Sequence, residues 1–123
     1  MESALLIVLC IVSLICILGG LNLLTKGAKS FLPETIPTPP VLDNLFRFLS
    51  GIYFGLGFLM AWVVYDFHRV HGLIYFIGLV VIFSGLGRFY SKMKVGSAGK
   101  YFDNMMRIEI ILGVAIVALQ FFR

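Results

Sequence analysis

The chain has 123 residues, 60% hydrophobic and 13% charged, with a formal net charge of +4 and a mean hydropathy of +1.02. The surface of a soluble domain needs far more charge than this, so an ordinary globular protein in water is excluded, and the length fits one domain. The sequence shows no P-loop, dinucleotide fingerprint, nucleophile–base constellation or Cys/His group at zinc spacing, and so offers no catalytic residue, metal or other cofactor.

Four apolar stretches, at about 4–25, 45–65, 72–90 and 104–122, each hold roughly the 20 residues that carry a helix across a ~30 Å hydrocarbon core. They do not alternate as the strands of a membrane barrel would. The pattern predicts an all-α, four-helix transmembrane bundle in a single domain, 1–123.

The first stretch is too long for a signal peptide and has no basic residues ahead of it, so it reads as a retained helix. Its Cys10 and Cys16 are six positions apart, a rotation of about 240°, so they cannot bridge and read as buried apolar side chains. Ser13, Cys16 and Gly20 form a narrow stripe of small residues, suited to close approach by another helix. The loop 26–44 contains all four prolines, Pro33, Pro37, Pro39 and Pro40, and favours extended backbone. Its Phe31, Leu32 and Ile36 suit a membrane surface, and 28–32 reads as a short interfacial helix.

The second helix is expected to start at Asp43 or Asn44, both good N-cap residues. Gly51 and Gly55 make a small-xxx-small pair for helix packing, and Trp62 and Tyr65 form an aromatic belt at the far end. The turn from Asp66 to Gly72 is too short for a domain and implies an antiparallel hairpin. Its His68 and His71 lack a third metal ligand and read as interface histidines. The third helix carries Gly78, Ser84, Gly85, Gly87 and Arg88, and a polar loop follows at 91–102. The fourth helix starts near Asp103 and Asn104 and runs to Phe122, with Glu109, Gly113 and Gln120 on one face.

Charge placement sets the orientation. Lys26, Lys29 and Arg47 flank the first loop, and Arg88, Lys92, Lys94, Lys100 and Arg107 flank the third, whereas the opposite side has only Arg69 and Arg123. The positive-inside rule puts both basic loops in the cytoplasm and both termini outside. Orientation and anionic lipid account for these loops, so no nucleic-acid partner is needed.

Arg47, Arg88 and Glu109 each interrupt an apolar stretch, and an ionisable residue inside a membrane marks a functional site by default. Arg47 and Arg88 lie roughly 3 Å from their helix ends and could snorkel to the headgroups. Glu109 lies roughly 8 Å in on too short a stem, so it must stay neutral or meet an arginine from another helix, Arg47 or Arg88. Arg107, two positions away, points elsewhere, toward lipid phosphate. Ser50 and Ser84 sit one turn from Arg47 and Arg88 and give each arginine a nearby hydroxyl. Such a cluster is either an ion pair fixing how the helices meet, or the polar floor of a pocket for a lipid headgroup or another amphiphile.

The run Arg47-Phe48-Leu49-Ser50-Gly51-Ile52-Tyr53-Phe54-Gly55, then Ser84-Gly85-Leu86-Gly87-Arg88, then Ile108-Glu109-Ile110, resembles the DUF4345 family of small four-helix membrane proteins. That family looks related to the DoxX-like group, and within it the chain is most similar to the AciT group of ciprofloxacin-tolerance proteins. The resemblance covers helices 2 to 4 and carries over to Arg47, Ser50, Gly51, Gly85, Arg88 and Glu109. It implies a bacterial inner-membrane protein that supports the envelope barrier and antibiotic tolerance, and it implies no mechanism. The expectation is a non-enzymatic protein that binds a membrane lipid or a membrane-protein partner at the Arg/Glu cluster. The alternatives are an enzyme or carrier for a lipophilic molecule with Glu109 transferring protons, and an assembly factor for a larger complex. The small-residue stripes also allow a homodimer.

Overall fold

Long apolar runs without internal proline favour continuous helix. The computed structural model, which describes residues 2–123, has four: α1 (Glu2–Lys26), α2 (Pro40–Tyr65), α3 (Gly72–Val95) and α4 (Lys100–Phe121). A short 3-10 helix, Ala28–Phe31, falls in the segment where a short helix was expected. The all-α, four-helix class is as the apolar stretches predict. Among the described residues, α1, α2 and α3 are long and apolar enough to cross a membrane. α4 is the least apolar of the four and is not among them, so the four stretches are not equivalent spans.

Three boundaries differ from expectation, each for a local reason. α2 starts at Pro40, because proline is preorganised for the first helical turn, where its missing N–H costs nothing. Asp43 therefore lies inside the first turn and is not the N-cap. α3 runs past position 90 to Val95 because Lys92, Met93 and Lys94 are good helix formers. α4 starts at Lys100, so only 96–99 link the two helices, with Gly96 and Gly99 at φ of 103° and 120°. Those left-handed values are what let the chain reverse in so few residues.

The chain divides into two compact units: one gathers the chain up to Leu9 with Val63–Arg123, and the other is Cys10–Trp62. In the second unit, α1 meets α2 through the predicted stripe of small residues. The Ser13 hydroxyl donates to the Gly57 carbonyl at 2.8 Å, and Cys16 is buried. A Cβ on Gly20 would lie 2.7 Å from the Phe54 nitrogen, and one on Gly57 would lie 2.8 Å from the Ile17 nitrogen. Gly51 and Gly55, the expected packing pair, do not serve in this way: a Cβ at either meets nothing within 4 Å. Their face of α2 turns outward. Cys10 is likewise exposed, against the expectation that both cysteines are buried.

In the first unit, α3 and α4 pack through glycine. A Cβ on Gly78 would lie 3.2 Å from the Gly113 carbonyl, and one on Gly113 would lie 2.9 Å from the Gly78 carbonyl and 2.8 Å from the Ile82 nitrogen. Gly85 sits against Met106 and Ile110 in the same seam. Met106, Glu109, Gly113, Ile116 and Gln120 form the buried face of α4. Large apolar side chains such as Ile7, Leu18, Phe48, Phe76 and Phe83 stand mostly exposed, a surface suited to lipid and costly in water.

Candidate functional site

The helical period places Glu109 one turn from Met106 and from Gly113 on the buried face of α4. Close approach at the glycine seam brings it to α3. Arg88 Nε lies 3.1 Å from Glu109 Oε1 and 3.0 Å from Oε2, and the Ser84 hydroxyl lies 3.2 Å from Oε2. Ser84 also lies 2.7 Å from the Val81 carbonyl, so its single proton serves one acceptor at a time. The Glu109 side chain is 8% exposed and that of Arg88 34%, which makes this a largely buried cross-helix pair with one rim open. A carboxylate so placed is tolerable because charge-assisted bonds replace its lost solvation.

The open rim faces a cavity. Arg88 engages Glu109 through Nε alone. Among the described residues its terminal nitrogens carry no protein hydrogen bond, and its guanidinium carbon stands 5.8 Å from the centre of the Phe102 ring. Arg88, Ser91, Lys92, Phe102, Asp103 and Met106 line a space of about 210 Å³. Glu109 is not part of this lining. Asp103 is held by Lys92 Nζ at 3.5 Å and by the Ser97 hydroxyl at 2.8 Å, and Ser97 Oγ in turn accepts the Gly99 N–H at 3.1 Å. The 96–99 turn is thereby tied to the mouth of the cavity.

Arg47, the other arginine available to Glu109 on sequence grounds, is engaged elsewhere. Its Nε pairs with Asp43 on its own helix at 2.9 Å, and Nη1 donates to the carbonyls of Leu24 at 2.9 Å and Thr25 at 3.4 Å. It therefore caps the carbonyl end of α1 with a cation. Asp43 also accepts the Ala28 N–H at 3.2 Å. Gly27, at φ 70°, leaves the space this clamp occupies: a Cβ there would lie 2.7 Å from Arg47 Nη2. Ser50 is buried, but its hydroxyl donates back to the Phe46 carbonyl at 2.7 Å and serves its own helix. The structure thus joins Ser84, Arg88 and Glu109, and gives Arg47 and Ser50 local roles. Arg107 is exposed.

Two features carry no sequence signal. Asp43 reads as a helix cap until Pro40 is seen to start α2. Arg123 enters the sequence reading only as a charge on the sparsely basic side, yet its side chain is only 5% exposed and its guanidinium carbon lies 3.8 Å from the Phe67 ring centre. It donates to the carbonyls of Phe67 at 2.7 Å and Val70 at 3.2 Å and to Gln120 at 3.2 Å, and it pairs with Glu2 at 3.7 Å. Gln120, on the predicted polar stripe, donates to the His71 carbonyl at 3.2 Å. Together they close the turn between α2 and α3.

A family model described as a domain of unknown function, DUF4345, matches residues 4–120. No curated protein and no solved structure matches the chain.

Proposed function

The chain belongs to the DUF4345 family, and we propose that it is a multi-pass membrane protein that binds a membrane lipid or a membrane-protein partner beside the Arg88–Glu109 pair, without catalysis. The observation that carries this reading is the divided use of Arg88: one edge of its guanidinium is neutralised by Glu109, and the rest faces a cavity with donors to spare.

The same geometry weighs against the reading of an enzyme or carrier that works through Glu109. Proton transfer needs the carboxyl within hydrogen-bond reach of the substrate. Glu109 is not in the lining of this cavity, so a molecule held there meets Arg88 and not the carboxyl. In this proposal the basic loops on either side of α2–α3 face the cytoplasm and both termini face outward, in keeping with the positive-inside rule. The membrane is the bacterial inner membrane, and the role is support of the envelope barrier, from which antibiotic tolerance follows indirectly. These last points rest on the family resemblance.

The test is purification in native-lipid nanodiscs, with mass spectrometry of what co-purifies with the wild type, Glu109→Gln and Arg88→Ala. The expected result is a lipid or protein species enriched over the bulk membrane and lost in both variants while their helicity is intact. Absence of any enriched species, with variants that simply unfold, would reduce the cluster to a structural lock.

A further inference from the structure

We infer that the cavity between the end of α3 and the start of α4 is a headgroup site for an anionic phospholipid, with Arg88, Ser91 and Lys92 receiving the phosphate. This deepens the binding reading above and rests on it. The donors come first. The terminal nitrogens of Arg88 and the Ser91 hydroxyl have no protein partner among the described residues, and Lys92 is held only by Asp103 at a long 3.5 Å. A planar guanidinium, a hydroxyl and an ammonium at i, i+3 and i+4, on one face of a helix end, offer donors to several oxygens of one tetrahedral anion. Asp103 also lines the space, but Lys92 and Ser97 satisfy it, and Glu109 is met by Arg88. The formal charges around the cavity therefore balance. Recognition is by short-range hydrogen bonding, not by long-range attraction.

Size and lining decide the rest of the ligand. At about 210 Å³ the cavity has room for a phosphate with a few attached carbons and far too little for acyl chains. The chains must stay outside. Phe102, Met106 and Ala98 make the remaining walls apolar, which suits the glycerol end of a lipid better than a free hydrated ion. On the last turns of α3, Phe89, Tyr90 and Met93 are exposed at 43%, 59% and 62%, an apolar surface against which the chains can lie.

The experiment places the full chain in nanodiscs of equal phosphatidylglycerol and phosphatidylcholine, extracts it gently, and reads retained lipid by native mass spectrometry. Lys92→Gln removes one donor and leaves the Arg88–Glu109 pair intact; Ala98→Leu fills the cavity and leaves every charge in place. The expected result is preferential retention of phosphatidylglycerol by the wild type, about tenfold weaker in Lys92→Gln, as the loss of one charged hydrogen bond predicts, and lost in Ala98→Leu, whose side chain takes the headgroup's space. Inorganic phosphate at millimolar concentration is expected not to displace the lipid. Equal retention of both lipids, or retention unchanged in both variants, overturns the assignment, and so does displacement by inorganic phosphate. If the headgroup preference is absent while another species is still lost in Arg88→Ala and Glu109→Gln, the broader binding reading stands without this one. If no species is enriched in the wild type, both fall.

Discussion

Each of the two units contains an arginine next to a carboxylate, and the two pairs do opposite things. Asp43 and Arg47 lie one turn apart on α2, so their 2.9 Å contact links nothing that the helix does not already link. Its effect is to aim the guanidinium at the carbonyl end of α1. Arg88 and Glu109 lie on different helices, and their contact is itself the tertiary connection. Glu109 is buried where Asp43 is part exposed, and both terminal nitrogens of Arg88 stay open among the described residues where Nη1 of Arg47 is taken up by two carbonyls. The same two chemical groups thus make a capping device in one unit and, in the other, a lock with a vacant side. Which it becomes depends on whether the acid is local or comes from another helix.

The largest effect is expected at the glycine seam that brings Glu109 to Arg88. Gly113→Leu drives a side chain into the backbone of α3, and a loss of about 3 kcal/mol is expected in equilibrium unfolding in detergent. A neutral outcome would mean that the pair, and not the seam, holds α3 to α4. Next comes the contrast between the acids. Glu109→Gln, which leaves Arg88 without its countercharge, is expected to cost about 2 kcal/mol, and Asp43→Asn, at a part-exposed clamp, about 1 kcal/mol. Exchanging the charges of Arg88 and Glu109 should recover part of the first loss; equal costs for both acids would erase the distinction drawn here. The smallest effect sharpens the picture of α2. Gly51→Ala, with open space at the Cβ, should shift stability by no more than about 1 kcal/mol and in the favourable direction, as helix propensity predicts. A large destabilisation there would place a second copy or another protein against that face.

The sequence was informative where a residue violated its surroundings. Glu109 in an apolar run could be expected to find an arginine on another helix, because the cost of leaving it bare is high whatever the fold. Which arginine answers was not readable. Arg47 and Arg88 sit equally near their helix ends, and only Asp43, one turn from Arg47, distinguishes them. Asp43 was masked by its own suitability as a cap. The glycines show the same limit. Spacing marks Gly51 and Gly55, but spacing does not say which face turns inward, and α1, apolar all round, gives no polar face to reason from. Arg123 was hard to read because two of its partners are backbone carbonyls, which leave no trace in residue identity, and its side-chain partners Glu2 and Phe67 are far away in sequence.

The four-residue link at 96–99 has a consequence for how the protein enters its membrane. α4 is the least apolar helix, and an unpaired charged side chain raises the cost of inserting a single span. With so short a tether, α4 emerges from the ribosome directly behind α3, and Arg88 is at hand to neutralise Glu109 before that cost falls on α4 alone. On the proposed membrane placement, α3 and α4 are expected to insert as one unit. A glycosylation-mapping assay should show α4 integrating behind native α3, and integrating poorly when α3 carries Arg88→Ala or is replaced by an unrelated apolar span.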